Sequence, residues 1–459
     1  MLFSIFYTGS KAGETHGSGT SNITHSSAGA SFLKLAGKSL IARGYQKARP
    51  YSVEAVVLYA LCKFFFKNDP DEDSWLLMGI SARLAVKMGY HRDPKHFPHI
   101  SPFEGEMRRR TFYIVSLFDT MLSFQSGLPA VIQEKECDTE DLSNLLDTDF
   151  DEDCKELPTP RPWTDPTPTL SYCYKSRLGK IFRRVTRHAL ALKTPSYEET
   201  MKLDRELHLI HEEVTPSLRW RSISSSYKDD ISIIMGRLNI DLMHQECICA
   251  LHRHYLSHQK TNPEFAYSRR TCSDAALQLL QLQSEMHAAF QPGGRWQERN
   301  WSPTIFATHG FLLGGMVLCL DLYEARNRSE IPSPTDLELQ VRKFDALKLS
   351  YEIWLSRSQV SSDARRACSV LAAMLSKVSR PSTADPMQDV TDGQTTSTSM
   401  DWSQVVGICL PSPSRIEPNN GGIDFISDPR FTDPLDSILS ENENVDWVRK
   451  RATSSVIFN

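Results

Sequence analysis

Residues 71–129 read DEDSWLLMGISARLAVKMGYHRDPKHFPHISPFEGEMRRRTFYIVSLFDTMLSFQSGLP. Two helices are written into this stretch. Leu77, Ile80, Leu84 and Met88 recur at i, i+3, i+7 and i+11, which makes one continuous helical face. Trp75, Met78, Ala82, Ala85 and Val86 widen that face, so the helix is expected to be deeply buried. Asp71, Glu72 and Asp73 place negative charge at its start, and Gly89 supplies a left-handed cap at its end. The second helix opens with Ser101 as N-cap, Pro102 at the first position and Glu104 at the third. Glu104–Arg108 and Glu106–Arg110 are i, i+4 pairs in the favourable order. From Phe112 to Phe124 the text is almost wholly apolar, yet it contains Asp119. A carboxylate in such a segment needs a partner, and Arg108, Arg109 or a residue of a neighbouring helix is expected to provide one. Gly127 and Pro129 end the helix.

Helical periodicity continues on both sides. Residues 31–45 form a short amphipathic helix, and 51–67 a strongly apolar one that Ser52 caps. Further helices are expected over 170–188, 197–214, 229–257, 267–290, 305–323, 337–355 and 363–377. Residues 133–169 read as a long acidic loop ending in the Pro-rich run PTPRPWTDPTPT, which excludes helix interior. No strand signal appears. The fold class is therefore all-α, a multi-helix array of packed helical pairs. Residues 8–30 are rich in Gly, Ser and Thr and read as flexible, giving a disordered N-terminal segment over 1–30. Beyond Ser379 composition shifts to Ser, Thr, Asp, Pro, Gly and Asn, so 379–459 is expected to be a disordered acidic tail. Within 423–448, seven acids interleave with Phe425, Ile426, Phe431, Leu435, Ile438, Leu439 and Trp447, the pattern of an amphipathic activation segment.

Composition bounds the function. The net charge is −4, so the protein as a whole is no basic nucleic-acid binder. None of the 10 cysteines forms a Cys-x-x-Cys pair, which excludes a classical zinc finger or a binuclear zinc cluster within this sequence and argues against a disulfide framework. The apolar stretch 305–323 is broken by His309 and Asp321 and reads as a buried helix. Its Gly310-x-x-x-Gly314 is then a close helix contact. The richest ligand cluster is His244, Cys247, Cys249, His252, His254 and His258, but over 14 residues of helix these do not converge on one face, so no metal site is expected there. Gly-x-Ser-x-Gly, His-Glu-x-x-His, Gly-x-Gly-x-x-Gly and P-loop signatures are absent, and Gly17-x-Gly19 precedes no strand. Catalytic, cofactor-binding and metal residues are therefore none. The Arg108–Arg109–Arg110 triplet is offset by Glu104 and Glu106 and reads as an ion-pair network between helices rather than a DNA patch.

The ordered motif resembles the fungal-specific transcription factor domain, the middle regulatory region of fungal binuclear zinc cluster regulators. The residues that carry the likeness are Trp75, Gly89, His91-Arg92-Asp93-Pro94, Ser101-Pro102-Phe103-Glu104, Glu106, Arg108-Arg109-Arg110, Phe112-Tyr113, Asp119 and Gly127-Leu128-Pro129. Weaker likeness extends over about 45–325. Tyr113 stands where members often carry Trp. Leu128 stands where many carry Arg, which removes a possible partner of Asp119. The resemblance implies an all-α regulatory domain over 31–378, a nuclear location, and control of metabolic or biosynthetic genes without catalysis. Zinc is expected only from a cluster encoded upstream of this sequence, and DNA contact only through such a domain or a partner. Homo- or heterodimers, a small-molecule effector and transcription machinery engaging 423–448 are the expected partners; a membrane is not. Arg449-Lys450-Arg451 is a weak nuclear import candidate. The alternatives are an α-helical interaction or effector-binding module without promoter action, and an enzyme on an all-α scaffold.

Overall fold

Helix α5, Pro102–Gln125, has two apolar faces, and this decides how the molecule is arranged. Phe112, Val115, Phe118 and Leu122 point into one core, and Tyr113, Leu117, Met121 and Phe124 into another. A helix that is apolar all round must be covered on both sides.

The computed structural model describes residues 1–14, 22–65, 72–257, 263–297, 304–326, 333–376 and 378. Among these it contains helices and irregular segments and no strand. The first core is built by α1 (Leu2–Glu14), α2 (Asn22–Arg43), α3 (Ser52–Phe65) and α4 (Glu72–Lys87) with one face of α5. The second is built on the other face of α5. It gathers α6 (Leu170–Ala189), α7 (Tyr197–Glu212), α8 (Ile231–His252), the short α9 (His254–Ser257), α10 (Ala266–Phe290), α11 (Thr304–Arg326), α12 (Pro334–Arg357) and α13 (Ser362–Leu375). Most consecutive helices pack against one another, as the all-α reading expects.

The capping signals of Ser101 and Gly89 act as the sequence implies, whereas Ser52 does not cap its helix: it is the first residue of α3, and its Oγ accepts from the Arg49 amide at 3.1 Å. Ser101 Oγ accepts from the Glu104 amide at 3.2 Å, and Gly89 adopts φ +78° where α4 ends. The 8–30 segment departs from expectation. Residues 8–14 lie within α1 and 22–30 within α2. The apolar residues that flank the polar run anchor it: Tyr7 is buried in the first core, and Phe6 meets the Phe32 ring at 5.6 Å. The acidic tail, Arg449-Lys450-Arg451, Gly17-x-Gly19 and His258 lie outside the described residues.

None of the nine described cysteines is in a disulfide. No helix among the described residues is long and apolar enough to cross a membrane. Helix α11 is instead a core helix. Its Asp321 accepts from Lys343 Nζ and Ser273 Oγ, both at 2.8 Å. Gly310 lets it approach α8 so closely that a Cβ there would land on the Glu246 carboxyl.

Burial pushes the Glu246 carboxyl from its usual 4.5 up to about 8, and the Gly310 amide offsets this only in part. The folded state thus favours the protonated form. The contribution is full below the unfolded-state value and declines as pH rises from about 4.5 to about 8, with a slope of at most ~1.4 kcal/mol per pH unit. Denaturant titrations across that window should show wild-type stability falling relative to Glu246→Gln. Parallel curves for the two proteins would place the proton elsewhere.

Candidate functional site

The segment from 130 to 167 crosses α5 with almost no regular structure, so its amides need acceptors from side chains. Buried carboxylates provide them. Asp119 accepts from the amides of Val131 at 3.1 Å and Ile132 at 2.8 Å. This corrects the expectation that Arg108, Arg109 or a residue of a neighbouring helix provides its partner, since both donors are backbone amides of the irregular segment after α5. Burial still raises its pKa, against the pull of those two amides. Asp93, fully buried, accepts from the Glu140 amide at 3.0 Å and, bidentately, from Arg109 at 2.9 and 2.7 Å. Burial pushes the Asp93 carboxyl up, but Arg109 and the amides outweigh it and hold it below the usual carboxylate value. Glu106, also fully buried, accepts from the Ser143 amide at 3.0 Å and from Arg110 Nε at 3.1 Å. Its pKa is nonetheless raised, because burial dominates.

The three arginines separate by one helical step each. Arg108 pairs with Glu104 at 2.9 Å and lies over the Tyr90 ring, beside the end of α4. Arg109 turns to the 91–94 corner. Arg110 reaches Asp147 at 2.8 Å and covers Phe150. Arg92 and the Asp93 amide both donate to Asp138, at 3.0 and 2.8 Å. The His91 carbonyl accepts from the Asp138 amide. Trp75 Nε1 donates to Ser123 Oγ at 3.3 Å, joining α4 to α5. Gly127 takes φ +65° after α5, and Pro129 is exposed.

Beside this network, α5, α6 and residues 134–141 enclose a groove of about 420 Å³. Tyr113, Leu117 and Gly179 line it together with Lys175, Lys180 and Arg183. Lys180 is engaged by Asp141 at 2.7 Å. Arg183 donates to the Ser116 carbonyl at 2.8 Å and to Thr120 Oγ1 at 3.1 Å. Lys175 has no carboxylate partner among the described residues. Its ammonium lies 4.3 Å from the centre of the Tyr172 ring, and desolvation lowers its pKa to about 8. Tyr172 itself is exposed and lies outside the groove lining, so the half-buried Lys175 joins the groove to that outer ring. Lys175 and Arg183 carry no signal in the sequence, because single bases in an amphipathic helix read as solvated.

The His and Cys cluster of α8 disperses. Cys247 is in the core, and Cys249 Sγ lies 3.8 Å from the Cys272 carbonyl. His254 is exposed. His252 Nε2 meets Asp204 Oδ1 at 2.9 Å, and its Nδ1 meets Ser268 Oγ at 2.9 Å. This Ser–His–Asp order is a structural tie between α7, α8 and α10. Ser268 is fully buried and its hydroxyl is shared with Tyr197 at 3.0 Å, so no substrate carbonyl reaches it. Asp204 also receives Tyr267 Oη at 2.9 Å and holds the His208 pKa up at about 9.

A family model for the fungal specific transcription factor domain matches residues 1–226, which include the whole charge network. The chain belongs to this family. It is 38% identical over 346 residues to "Zn(2)-C6 fungal-type transcription factor pigI" of Monascus ruber, covering 74% of this chain and 42% of that protein. It is 36% identical over 357 residues to "Zn(2)-C6 fungal-type transcription factor mpsB" of Macrophomina phaseolina, covering 77% and 48%. It is 33% identical over 344 residues to "Equisetin cluster transcription factor eqxF" of Fusarium heterosporum, covering 75% and 49%. The chain thus spans about half the length of the curated relatives it matches. No solved structure matches it.

Removing one partner of a buried ion pair leaves the other charge uncompensated, at a cost of about 3–5 kcal/mol. Arg109→Met is expected to lower unfolding stability by that amount and to expose 134–141 to limited proteolysis. The double variant Arg109→Met with Asp93→Asn should recover part of the loss. Full stability in Arg109→Met would show that the pair does not hold the segment.

Proposed function

We propose that this protein is the regulatory portion of a fungal transcription factor that controls a set of biosynthetic genes. The observation that carries this reading is the family match, together with relatives whose names describe transcription factors, one of them of the equisetin cluster. The protein acts in the nucleus. Contact with DNA comes from a separate DNA-binding domain or from a partner, since residues 1–459 contain no zinc cluster spacing. The acidic, aromatic-bearing 423–448 segment engages transcription machinery.

The groove over α5 and α6 supports a second element of the proposal. It receives a small anionic effector, with Lys175 as the charge partner and the Tyr113–Leu117 wall covering the apolar part. Catalysis has no support here. The Ser176 hydroxyl in the groove donates to Asp141 rather than to an imidazole base, and burial raises the Cys137 thiol pKa, which keeps it protonated.

Two measurements test the reading. Residues 380–459 fused to a foreign DNA-binding domain should raise reporter transcription well above the domain alone, and Phe425→Ala with Phe431→Ala should abolish the rise. Disrupting the gene should silence a co-ordinated group of biosynthetic transcripts. An inert fusion together with an unchanged transcriptome would remove the regulator assignment and favour a plain interaction module.

A further inference from the structure

We propose that His211, Asp241 and His244 form a binding site for a divalent transition metal ion of the zinc class, clamping α7 to α8. The side chains come from two helices. His211 is on the last turn of α7, and Asp241 and His244 are one turn apart on α8, at the i, i+3 spacing that puts both on one face. One ligand atom from each lies within 4.8 Å of the other two. His211 Nε2 and Asp241 Oδ1 are already 3.4 Å apart. A tetrahedral ion with bonds of about 2.0–2.1 Å sets its ligand atoms about 3.3 Å apart. That pair is therefore at coordination spacing, and rotation of the His244 ring out of its stack on His211 is what brings its lone pair to the same ion.

His244 is the observation that points to a ligand. It is 3% exposed, and neither ring nitrogen has a hydrogen-bond partner. Buried polar groups are nearly always satisfied, so an imidazole with two idle nitrogens in a helical core calls for an explanation. Its ring stacks on that of His211 at 3.9 Å and 19°. The small space alongside, lined by Tyr174, Leu178, Val214 and Ile240, admits no water.

The carboxylate is held as a ligand would be. Asp241 accepts from Gln245 Nε2 at 3.3 Å and from Gln278 Nε2 of α10 at 3.2 Å. Amide donors behind a ligating carboxylate fix its orientation and tune the ion. Two imidazoles and one carboxylate suit Zn²⁺ and its neighbours rather than Mg²⁺ or Ca²⁺. His211 is half-exposed, which gives the ion a way in and leaves an outer position for water.

No metal-ligand spacing in the sequence joins these three residues. The α8 cluster read from the sequence combined His244 with Cys247 and Cys249, which face elsewhere. The ligands that join His244 come from α7 and from one turn upstream.

The test uses the full-length protein in reducing buffer, titrated with Co²⁺. One equivalent should bind with visible d–d absorption and without the near-ultraviolet thiolate-to-cobalt band that binding at cysteine would give. His211→Ala and His244→Gln should each weaken binding at least tenfold, and Gln278→Leu by about tenfold. His254→Gln should leave it unchanged. Zn²⁺ should displace Co²⁺ and raise the melting temperature of the wild type but not of His211→Ala. His211→Ala alters a half-exposed side chain and so decides the matter even if the buried His244→Gln fails to fold. Absence of binding, a spectrum dominated by thiolate bands, or affinity unchanged in His211→Ala would each overturn the site.

Discussion

The molecule is organised by a helix that has no solvent face along its C-terminal half. From Phe112 to Phe124, α5 presents apolar side chains in every direction, so it must be enclosed. The residues that precede α5 supply four helices for one side, and those that follow it supply the rest for the other. The connection after α5 is Pro-rich over 158–168 and forms no long regular element. It crosses the helix as an irregular strap.

That strap explains the charged motif. An irregular segment against a core has amides that no ladder satisfies. Asp93, Glu106 and Asp119 between them accept from the strap amides of Val131, Ile132, Glu140 and Ser143. The arginines then compensate the buried charge, Arg109 for Asp93 and Arg110 for Glu106. Sequence proximity of opposite charges on α5 suggested pairing within the helix. Arg108–Glu104 and Arg110–Glu106 are such pairs, whereas the bidentate contact of Arg109 runs to a corner 16 residues away.

The same strap, by standing off α5 and α6, forms the groove that Lys175 and Arg183 line. The proposed effector groove and the structural charge network therefore share one segment, residues 134–141. His211, Asp241 and His244 lie apart from this groove, between α7 and α8.

The sequence by itself determined most of the helices, the caps at Ser101 and Gly89, and the family, because periodicity, N-cap chemistry and an ordered local motif are properties of neighbours along the backbone. Ser101, Gly89 and the 77–88 face were legible for that reason. The helical 8–14 and 22–30 segments were not, since polar composition hides anchors such as Tyr7 and Phe32 that act across helices. Asp119 showed that it needed a partner, but backbone amides carry no residue identity, so the sequence could not say which. The Asp93–Arg109 pair, the placing of Lys175 away from any described carboxylate, the Ser268–His252–Asp204 tie and the approach of His211 to Asp241 and His244 were decided only by tertiary structure. Each joins residues whose separation is set by how helices pack, and no local spacing encodes that.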